Sequence, residues 1–293
     1  MRMTRRDFVK WASASAAALG AARLTKLEEA LASSTSPPVI WLQGSACTGC
    51  TISLLNVTDP ATIDTVLTNT ISLKYHPNLT TSSGDLAVGG IVDAKSTYNG
   101  QFILCVEGGI PTGAGGRCCV IGERNGADWT MLDAVNELGP KAKHVIAVGS
   151  CAAWGGVVKP DLYAGVQTVD QVLEGKTQNT VVNLPACPAH PTAVVGTLVT
   201  LLTSPGSLKL NPSGQPLAYY GGRIHSSCPR KGQAKAEFGV QGCYMMVGCR
   251  GPSTTINCPS MQWNNKKNWC VASNVGCIGC AAPSFPTTPL LKY

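Results

Sequence analysis

The feature that most constrains this chain is the crowding of cysteine near its end. The stretch NWCVASNVGCIGC, residues 268–280, holds three cysteines, and seven of the 14 cysteines fall in the last 75 residues. The same segment is rich in Gly and Pro and has little helical or strand periodicity, so it needs another source of order. Bound metal supplies folding free energy directly, and thiolates are metal ligands. The pattern favours metal centres, with disulfides as the alternative.

Length and composition weaken the disulfide alternative. A chain of 293 residues, 44% hydrophobic and 13% charged, is large enough to bury a core without covalent staples. The formal charge is +7, of which residues 1–32 carry +3, and the rest is spread without a run of Lys or Arg. No basic stripe or interleaved aromatic pattern indicates nucleic-acid binding.

The N-terminus reads as a targeting segment. TRRDFVK, residues 4–10, has a twin arginine, the weakly apolar run WASASAAALGAA follows, and Ala30-Leu31-Ala32 forms an A-x-A cleavage site. We predict a twin-arginine signal peptide over residues 1–32, cleavage near Ala32 and a periplasmic protein. This route exports folded proteins, often with a cofactor already inserted. No later stretch reaches the ~18 apolar residues of a membrane span, so no transmembrane segment is expected in the mature chain.

From about residue 37 to 202 short apolar runs alternate with Gly/Pro-rich turns and helical patterns. The helical patterns are ADWTMLDAVNEL, residues 127–138, and TAVVGTLVTLL, residues 192–202. Apolar strands that alternate with helices predict an α/β fold with a parallel sheet covered on both faces. The predicted strands are PPVIWLQG (37–44), QFILCVEG (101–108), HVIAVG (144–149) and TVVNLP (180–185).

Cysteines follow three of these strands directly. The loops are GSACTGC, GSCAAWGG and PACPAHP, and ligands of such sheets bind beyond the carboxyl ends of the strands. We therefore expect Cys47, Cys50, Cys151 and Cys187 to meet at one edge of the sheet.

The C-terminal segment carries a second ligand pattern. Its candidate ligands are His225 and Cys228 in IHSSC, Cys243 and Cys249 in GCYMMVGC, and then Cys258, Cys270, Cys277 and Cys280. Iron–sulfur clusters are held mainly by cysteine thiolates. CxxC pairs also build tetrahedral zinc sites, and the spacing alone does not separate the two.

Together these motifs resemble a known family. WLQGSACTGCTISLL, GSCAAWGG, PACPAHP, GGRIHSSCPR, GCYMMVGCRGPSTTINCP and NWCVASNVGCIGC occur in the order found in the small, electron-transfer subunit of nickel–iron hydrogenases. The resemblance covers nearly the whole chain. It implies a flavodoxin-like domain over residues 33–203 with a proximal cluster, and an irregular, cluster-organised domain over residues 204–293 with medial and distal clusters.

The resemblance also implies the ligands of three [4Fe–4S] clusters. Standard members have proline at the position of Cys270 and a [3Fe–4S] medial cluster, so a fourth thiolate here implies a medial [4Fe–4S] cluster, or [3Fe–4S] if Cys270 is not a ligand. The implied sets are Cys47, Cys50, Cys151 and Cys187 (proximal), Cys258, Cys270, Cys277 and Cys280 (medial), and His225, Cys228, Cys243 and Cys249 (distal).

Several other residues receive structural interpretations. Oxygen-tolerant relatives have extra cysteines beside the proximal cluster where this chain has Gly49 and Gly156, so a six-cysteine centre is not expected. Glu107 is interpreted as a loop carboxylate near a polar turn. The remaining cysteines and histidines are expected to be structural: Cys105 as a core residue, Cys118 and Cys119 in a loop, and His76, His144 and His190.

The resemblance implies a function and partners. The chain is expected to relay electrons for H2 ⇌ 2H+ + 2e− between a large subunit with a nickel–iron or nickel–iron–selenium site and a periplasmic c-type cytochrome. No catalytic residue is assigned to this chain. The alternatives are a relative from the complex I lineage, a hydrogen-sensing regulatory subunit, and a disulfide-rich exported binding protein.

Overall fold

The computed structural model describes residues 37–159 and 163–286. The predicted signal peptide, residues 1–32, lies outside the described residues.

A parallel sheet forms the centre of the N-terminal part of the molecule. The strands are β1 Pro38–Gln43, β2 Ser72–Tyr75, β3 Ile103–Glu107, β4 Ile110–Pro111, β5 Val120–Arg124, β6 Ala127–Thr130, β7 His144–Val148, β8 Val166–Gln167 and β9 Val182–Leu184. Five of them form one sheet in the order β2-β1-β3-β7-β9, and all of its pairs are parallel. Two short antiparallel pairs, β4 with β8 and β5 with β6, lie outside it.

The predicted parallel sheet and its four predicted strands, now β1, β3, β7 and β9, are confirmed. Strand β2 was not predicted from the sequence; its residues are all only half-buried and include Lys74. A half-buried edge strand lacks the continuous apolar run that marks the central strands.

The helices connect and cover these strands. They are α1 Gly49–Leu55, α2 Ile63–Thr65, which continues into a π turn at Val66–Thr70, α3 Gly84–Thr97, α4 Met131–Leu138, α5 Gly149–Trp154, α6 Val169–Val172, α7 Pro191–Thr203, α8 Leu217–Tyr220 and α9 Cys258–Met261. Helix α7 confirms the predicted helix at residues 192–202.

The predicted helix at residues 127–138 is correct only in its second half. Residues 127–130 form β6, which pairs with β5 across a turn where Asn125 and Gly126 both have positive φ. Helix α4 then begins at Met131, because Thr130 and Asp133 form a capping box. The Thr130 hydroxyl accepts from the Asp133 N–H at 3.1 Å, and the Asp133 carboxylate accepts from the Thr130 N–H at 3.2 Å.

Both faces of the sheet are buried, as predicted. Along β1, Val39 and Trp41 point into one apolar core together with α1 and α7, and Ile40 and Leu42 point into a second core with α3 and α4. This alternation is the period of two of a strand. The burial fixes the sheet, and thus the positions of the loops at its carboxyl edge.

The C-terminal segment, defined here as residues 221–286, confirms the predicted irregular structure. Its regular elements are α9 and the 3₁₀ turns Ile224–Ser227, Tyr244–Val247 and Gly251–Ser253. Ile256, Trp269 and Val271 pack it onto the core that contains Trp41. No helix in the described ranges is long and apolar enough to cross a membrane.

Candidate metal centres

The sheet-edge group consists of Cys47, Cys50, Cys151 and Cys187. Cys47 lies in the loop after β1, Cys50 in α1, Cys151 in α5 and Cys187 in the loop after β9. Because the carboxyl ends of parallel strands meet at one edge, the topology brings the four together.

The thiols of this group lie in contact with one another's loops: the N–H of Ala189, two residues after Cys187, donates to the Cys50 Sγ at 3.3 Å. Burial is the main cause that raises the pKa of Cys50, and the charges of Cys151 and Cys187 raise it further. Burial also raises the pKa of Cys151 and Cys187, and each of them is coupled to Cys47. Buried thiols hold their protons, so a metal that binds here must displace them.

Glycines make room for these sulfurs. Gly149 has a φ of +86°, and a Cβ at this position would collide with the Sγ of Cys50. At Gly49 a Cβ would lie 3.0 Å from the Sγ of Cys47, and at Gly156 a Cβ would lie 3.0 Å from the Sγ of Cys151. The two glycines singled out in the sequence thus adjoin the sheet-edge group.

A buried carboxylate supports the loop that carries this group. Glu107 accepts hydrogen bonds from the backbone N–H groups of Cys50 and Thr51, both at 3.2 Å. It also accepts from Trp41 Nε1 at 3.1 Å and from the Thr51 hydroxyl. Glu107 therefore fixes the backbone at a candidate ligand and cross-links β1, β3 and α1.

The interpretation of Glu107 as a loop carboxylate near a polar turn is wrong. Glu107 is the last residue of β3 and is 1% exposed. A buried carboxylate needs several donors, and here all of them come from the neighbouring strand and helix. A single Glu after an apolar run does not reveal those donors. A charged residue directly after four apolar strand residues does, however, indicate a buried polar network.

The middle group consists of Cys258, Cys270, Cys277 and Cys280. Burial raises the pKa of Cys277 to about 11 and that of Cys280 to about 12, and it raises the pKa of Cys258 and Cys270 as well. The charge of Cys270 acts on each of the other three thiols. The Val275 N–H, two residues before Cys277, donates to the Cys270 carbonyl at 3.0 Å, and Cys270 is the most exposed of the four.

The outer group consists of His225, Cys228, Cys243 and Cys249. His225 and Cys228 belong to one 3₁₀ turn, which is closed by a bond from the Cys228 N–H to the His225 carbonyl at 3.4 Å. Cys243 and Cys249 flank another 3₁₀ turn.

Two contacts bring the loops of the outer group together. Arg230, two residues after Cys228, donates to the carbonyl of Gly242, the residue before Cys243, at 3.4 Å. A Cβ at Gly251 would lie 3.5 Å from the Sγ of Cys249 and 3.7 Å from the backbone nitrogen of His225, so the turn that carries His225 lies close to Cys249.

Hydrogen bonds link the three groups in series. The hydroxyl of Ser150, the residue before Cys151, donates to the Cys280 carbonyl, which joins the sheet-edge group to the middle group. The backbone N–H of Cys277 donates to the Sγ of Cys249 at 3.2 Å, which joins the middle group to the outer group. Cys249, a member of the outer group, therefore also lies beside the middle group.

Two buried donors next to the thiols lack a protein acceptor. Within the described residues, Tyr220 Oη and Arg250 Nε have no hydrogen-bond partner. Burial, followed by the charges of Cys258, Cys280 and Cys50, raises the pKa of Tyr220 well above its usual value. Arg250 donates its backbone N–H to the Cys277 carbonyl at 2.7 Å. Sulfur atoms of a bound cluster would give such donors acceptors, so these residues fit iron–sulfur centres.

The thiols remain free of one another in the structure. All 14 cysteines are unpaired, and among the described residues no three His, Cys, Asp or Glu side chains converge closely enough to hold a single metal ion. The thiolates of a cubane each bind a different iron, so they surround a cluster rather than a point.

The remaining cysteines and histidines do not belong to the three groups. Cys105 is fully buried in β3, as expected of a core residue, and Cys118 and Cys119 lie in a turn. The three other histidines are buried: His76 stacks on Trp41, His190 packs on Trp263, and His144 begins β7.

Two family profiles match the chain. The profile described as NADH ubiquinone oxidoreductase, 20 Kd subunit, matches residues 47–201, and the one described as the C-terminal part of the NiFe/NiFeSe hydrogenase small subunit matches residues 220–291. The first includes the sheet-edge group, and the second includes the middle and outer groups.

Individual relatives match over nearly the full length. The chain is 37% identical to the periplasmic [NiFeSe] hydrogenase small subunit of Desulfomicrobium baculatum, over 98% of this chain and 97% of the relative. It is 36% identical to the periplasmic [NiFe] hydrogenase small subunit 1 of Nitratidesulfovibrio vulgaris, over 97% and 90%. The recombinant [NiFeSe] hydrogenase structure from Desulfovibrio vulgaris Hildenborough matches with a TM-score of 0.83 at 36% identity, over 89% and 99%.

The fold, the thiol groups and these relatives define a subunit of an H2 oxidoreductase. The chain belongs to the small-subunit family of the NiFe and NiFeSe hydrogenases. Small subunits of this family pair with a large subunit, on which the active site lies. The resemblance predicted from the motifs is therefore confirmed.

Proposed function

We propose that this chain relays electrons through three [4Fe–4S] clusters between the nickel-containing large subunit and an external carrier. The sheet-edge group would hold the proximal cluster, the middle group the medial cluster and the outer group the distal cluster. When bound, the clusters supply one-electron redox chemistry. The residues of this chain hold them, exclude water and fix their spacing.

The observation that carries the proposal is the serial arrangement of the three groups. The bond from Ser150, next to Cys151, to the Cys280 carbonyl joins the first two groups, and the bond from the Cys277 N–H to the Cys249 Sγ joins the last two. An electron path requires such a series of close centres, whereas independent structural metal sites do not.

The middle group supports a fourth cubane ligand rather than a three-iron cluster. The Cys270 carbonyl accepts from the N–H of Val275, two residues before Cys277, at 3.0 Å, which places Cys270 beside the loop that carries two other members of the group. With four thiolates the medial cluster is [4Fe–4S], and its potential is expected to be lower than that of a [3Fe–4S] cluster.

The proposal extends to location, domains and carrier. TRRDFVK and the A-x-A site support twin-arginine export of the folded chain to the periplasm, with cleavage near Ala32. We retain the division into a domain at residues 33–203 and a domain at residues 204–293. The external carrier is a periplasmic c-type cytochrome that receives electrons at the outer group.

Sulfide analysis and electron paramagnetic resonance (EPR) spectra of the anaerobic heterodimer test the ligand sets. We expect about twelve acid-labile sulfides per heterodimer. We also expect no [3Fe–4S] signal in the oxidised protein, because an oxidised [4Fe–4S]2+ cluster is EPR-silent. Cys270→Ala should gain a [3Fe–4S] signal, and the matched control Cys118→Ala should not.

Two results would contradict the proposal in different ways. A [3Fe–4S] signal in the unmodified protein would remove Cys270 from the medial set. A sulfide count near zero in folded heterodimer would overturn the relay.

A further inference from the structure

Charge is distributed very unevenly along the mature chain. Residues 33–220 carry nine Lys and Arg against 12 Asp and Glu, a formal charge of −3, whereas residues 221–286 carry seven against one, a charge of +6. The charged residues of the C-terminal segment are Arg223, Arg230, Lys231, Lys235, Arg250, Lys266 and Lys267, against Glu237 alone.

Bound oxidised clusters would offset about half of this charge and leave the segment net positive. An oxidised cubane with four thiolates has a net charge of about −2, and one with three thiolates and a histidine about −1. One of the seven basic residues, Lys266, pairs with Asp59 at 3.7 Å, so this ion pair offsets a small part of the charge. The C-terminal segment therefore presents a positive surface.

Within this segment large apolar side chains are exposed. We define the apolar patch as five side chains between 37% and 59% exposed: Phe238, Val240, Met245, Met246 and Val275. Apolar side chains that gather on a surface mark contact sites for other proteins.

A rigid support holds the patch together. The Phe238 ring packs edge-on against Tyr244, with centroids 5.6 Å apart, and Met245 and Met246 follow Tyr244 directly. The Tyr244 hydroxyl donates to Asn274 Oδ1 at 3.0 Å, which brings the neighbouring Val275 to the same place. Arg230 also donates to Asn274 Oδ1, at 2.7 Å, and stacks over the Tyr244 ring.

The patch adjoins the outer group, and two exposed lysines, here called the lysine rim, contact candidate ligands of that group through their backbones. Met245 and Met246 follow Cys243 in sequence, and Lys235 pairs with Cys243 in an isolated β-bridge. The Lys231 N–H donates to the Cys228 carbonyl at 3.0 Å. Both lysines are exposed, so two candidate distal ligands each have an exposed cation nearby.

From this we infer that the apolar patch and its lysine rim dock an electron-carrier protein whose contact face is acidic, with an apolar centre around its redox group. The inference rests on the proposed relay and specifies its carrier. An apolar centre with a charged rim suits a short-lived complex, in which charge steers the encounter and the apolar contact brings the redox groups close.

One cytochrome in two charge states tests the inference. The probe is mitochondrial-type cytochrome c, used in its native, lysine-rich form and after succinylation, which makes its surface acidic. Its reduction by H2 is followed with the whole heterodimer at low and high salt. At low salt we expect the succinylated form to be reduced at least about tenfold faster, and high salt should abolish the difference because it screens the charges.

Matched variants locate the effect. Lys231→Glu/Lys235→Glu should lower the rate with succinylated cytochrome, relative to the rate with benzyl viologen, by about tenfold and raise the rate with the native form. Met245→Ala/Met246→Ala should lower both rates severalfold at any salt concentration. The control is Lys141→Glu/Lys143→Glu, which makes an equal charge change at two exposed lysines outside the C-terminal segment. It should leave all rates unchanged.

The results that would overturn the docking inference differ from those that would overturn the relay. Equal reduction of both cytochrome forms, or faster reduction of the native form, would overturn the acidic carrier and leave the relay intact. Loss of the heterodimer in Lys231→Gln/Lys235→Gln, measured by size-exclusion chromatography, would assign the face to the large subunit and also overturn the inference. Absence of reducible clusters from the EPR spectrum of the wild-type heterodimer would instead overturn the relay itself.

Discussion

The sheet edge and the C-terminal segment hold their cysteines in place by different means. At the sheet edge, buried strands and helices set the loops, and Glu107 ties a candidate ligand to two strands. In the C-terminal segment, the described residues form short turns around the cysteines, and few regular elements could hold the fold without them. We therefore expect the first region to fold before it binds metal and the second to depend on metal for its order.

Removing iron should give the largest difference between the two regions. After the clusters are destroyed anaerobically by oxidant and chelator, amides of residues 221–286 should exchange about 1000-fold faster, while amides of β1, β3 and β7 keep most of their protection. Hydrogen exchange with mass spectrometry measures both regions in one sample. Equal loss of protection in both regions would show that the sheet depends on metal as much as the C-terminal segment does.

Glu107→Ala tests the sheet edge itself. Removal of the carboxylate leaves the N–H groups of Trp41, Cys50 and Thr51 without their acceptor, which should destabilise the protein by about 3–5 kcal/mol. Glu107→Gln keeps one acceptor oxygen and should be destabilised by about half as much. Calorimetric unfolding of the heterodimer measures both. A wild-type melting temperature in Glu107→Ala would show that the strands alone position the loop.

The free energy of unfolding of this protein should fall in mild acid because of His76. Burial lowers its pKa from 6.5 to about 4, so at pH 5 the unfolded chain binds a proton that the folded chain does not. Stability should therefore fall by about 2 kcal/mol between pH 7 and pH 5, or about 4 °C in Tm. The Tm of His76→Gln, which cannot take up that proton, should fall by about 4 °C less than the wild-type Tm over this range. An identical pH dependence in wild type and variant would rule out this contribution.

Tyr220→Phe should have the smallest effect on stability and a distinct effect on potential. The hydroxyl lacks a protein acceptor, so its loss should change the stability of iron-free protein by less than about 1 kcal/mol. In the loaded heterodimer, loss of a donor should lower the potential of the proximal or medial cluster by about 20–60 mV. EPR-monitored redox titration measures this. Unchanged potentials would show that the hydroxyl does not contact a cluster.

The sequence predicts the elements that depend on local patterns. Continuous apolar runs mark β1, β3, β7 and β9, and the position of cysteines after three of them predicts the sheet-edge group. The start of α4 was misplaced because β6 forms by pairing with β5, although the Asn125-Gly126 dipeptide is a known hairpin signal.

Features that depend on distant contacts could not be predicted in this way. The burial of Glu107 depends on donors 56 to 66 residues away, and the unpaired donor of Tyr220 is visible only once the loops around it are placed. The ligand sets of the C-terminal segment come from the motif resemblance, since irregular turns have no periodicity from which proximity can be inferred.

The bonds between the sheet edge and residues 280–281 also have a kinetic consequence. The Ser150 hydroxyl donates to the Cys280 carbonyl, and Trp154 Nε1 donates to the Ala281 carbonyl at 3.2 Å. Ser150 and Trp154 lie in the same short helix as Cys151, so these bonds hold one sheet-edge ligand at a fixed separation from a middle-group ligand. Electron tunnelling slows exponentially with distance. A rigid clamp on that distance would therefore keep the transfer rate between neighbouring centres uniform from one molecule to the next.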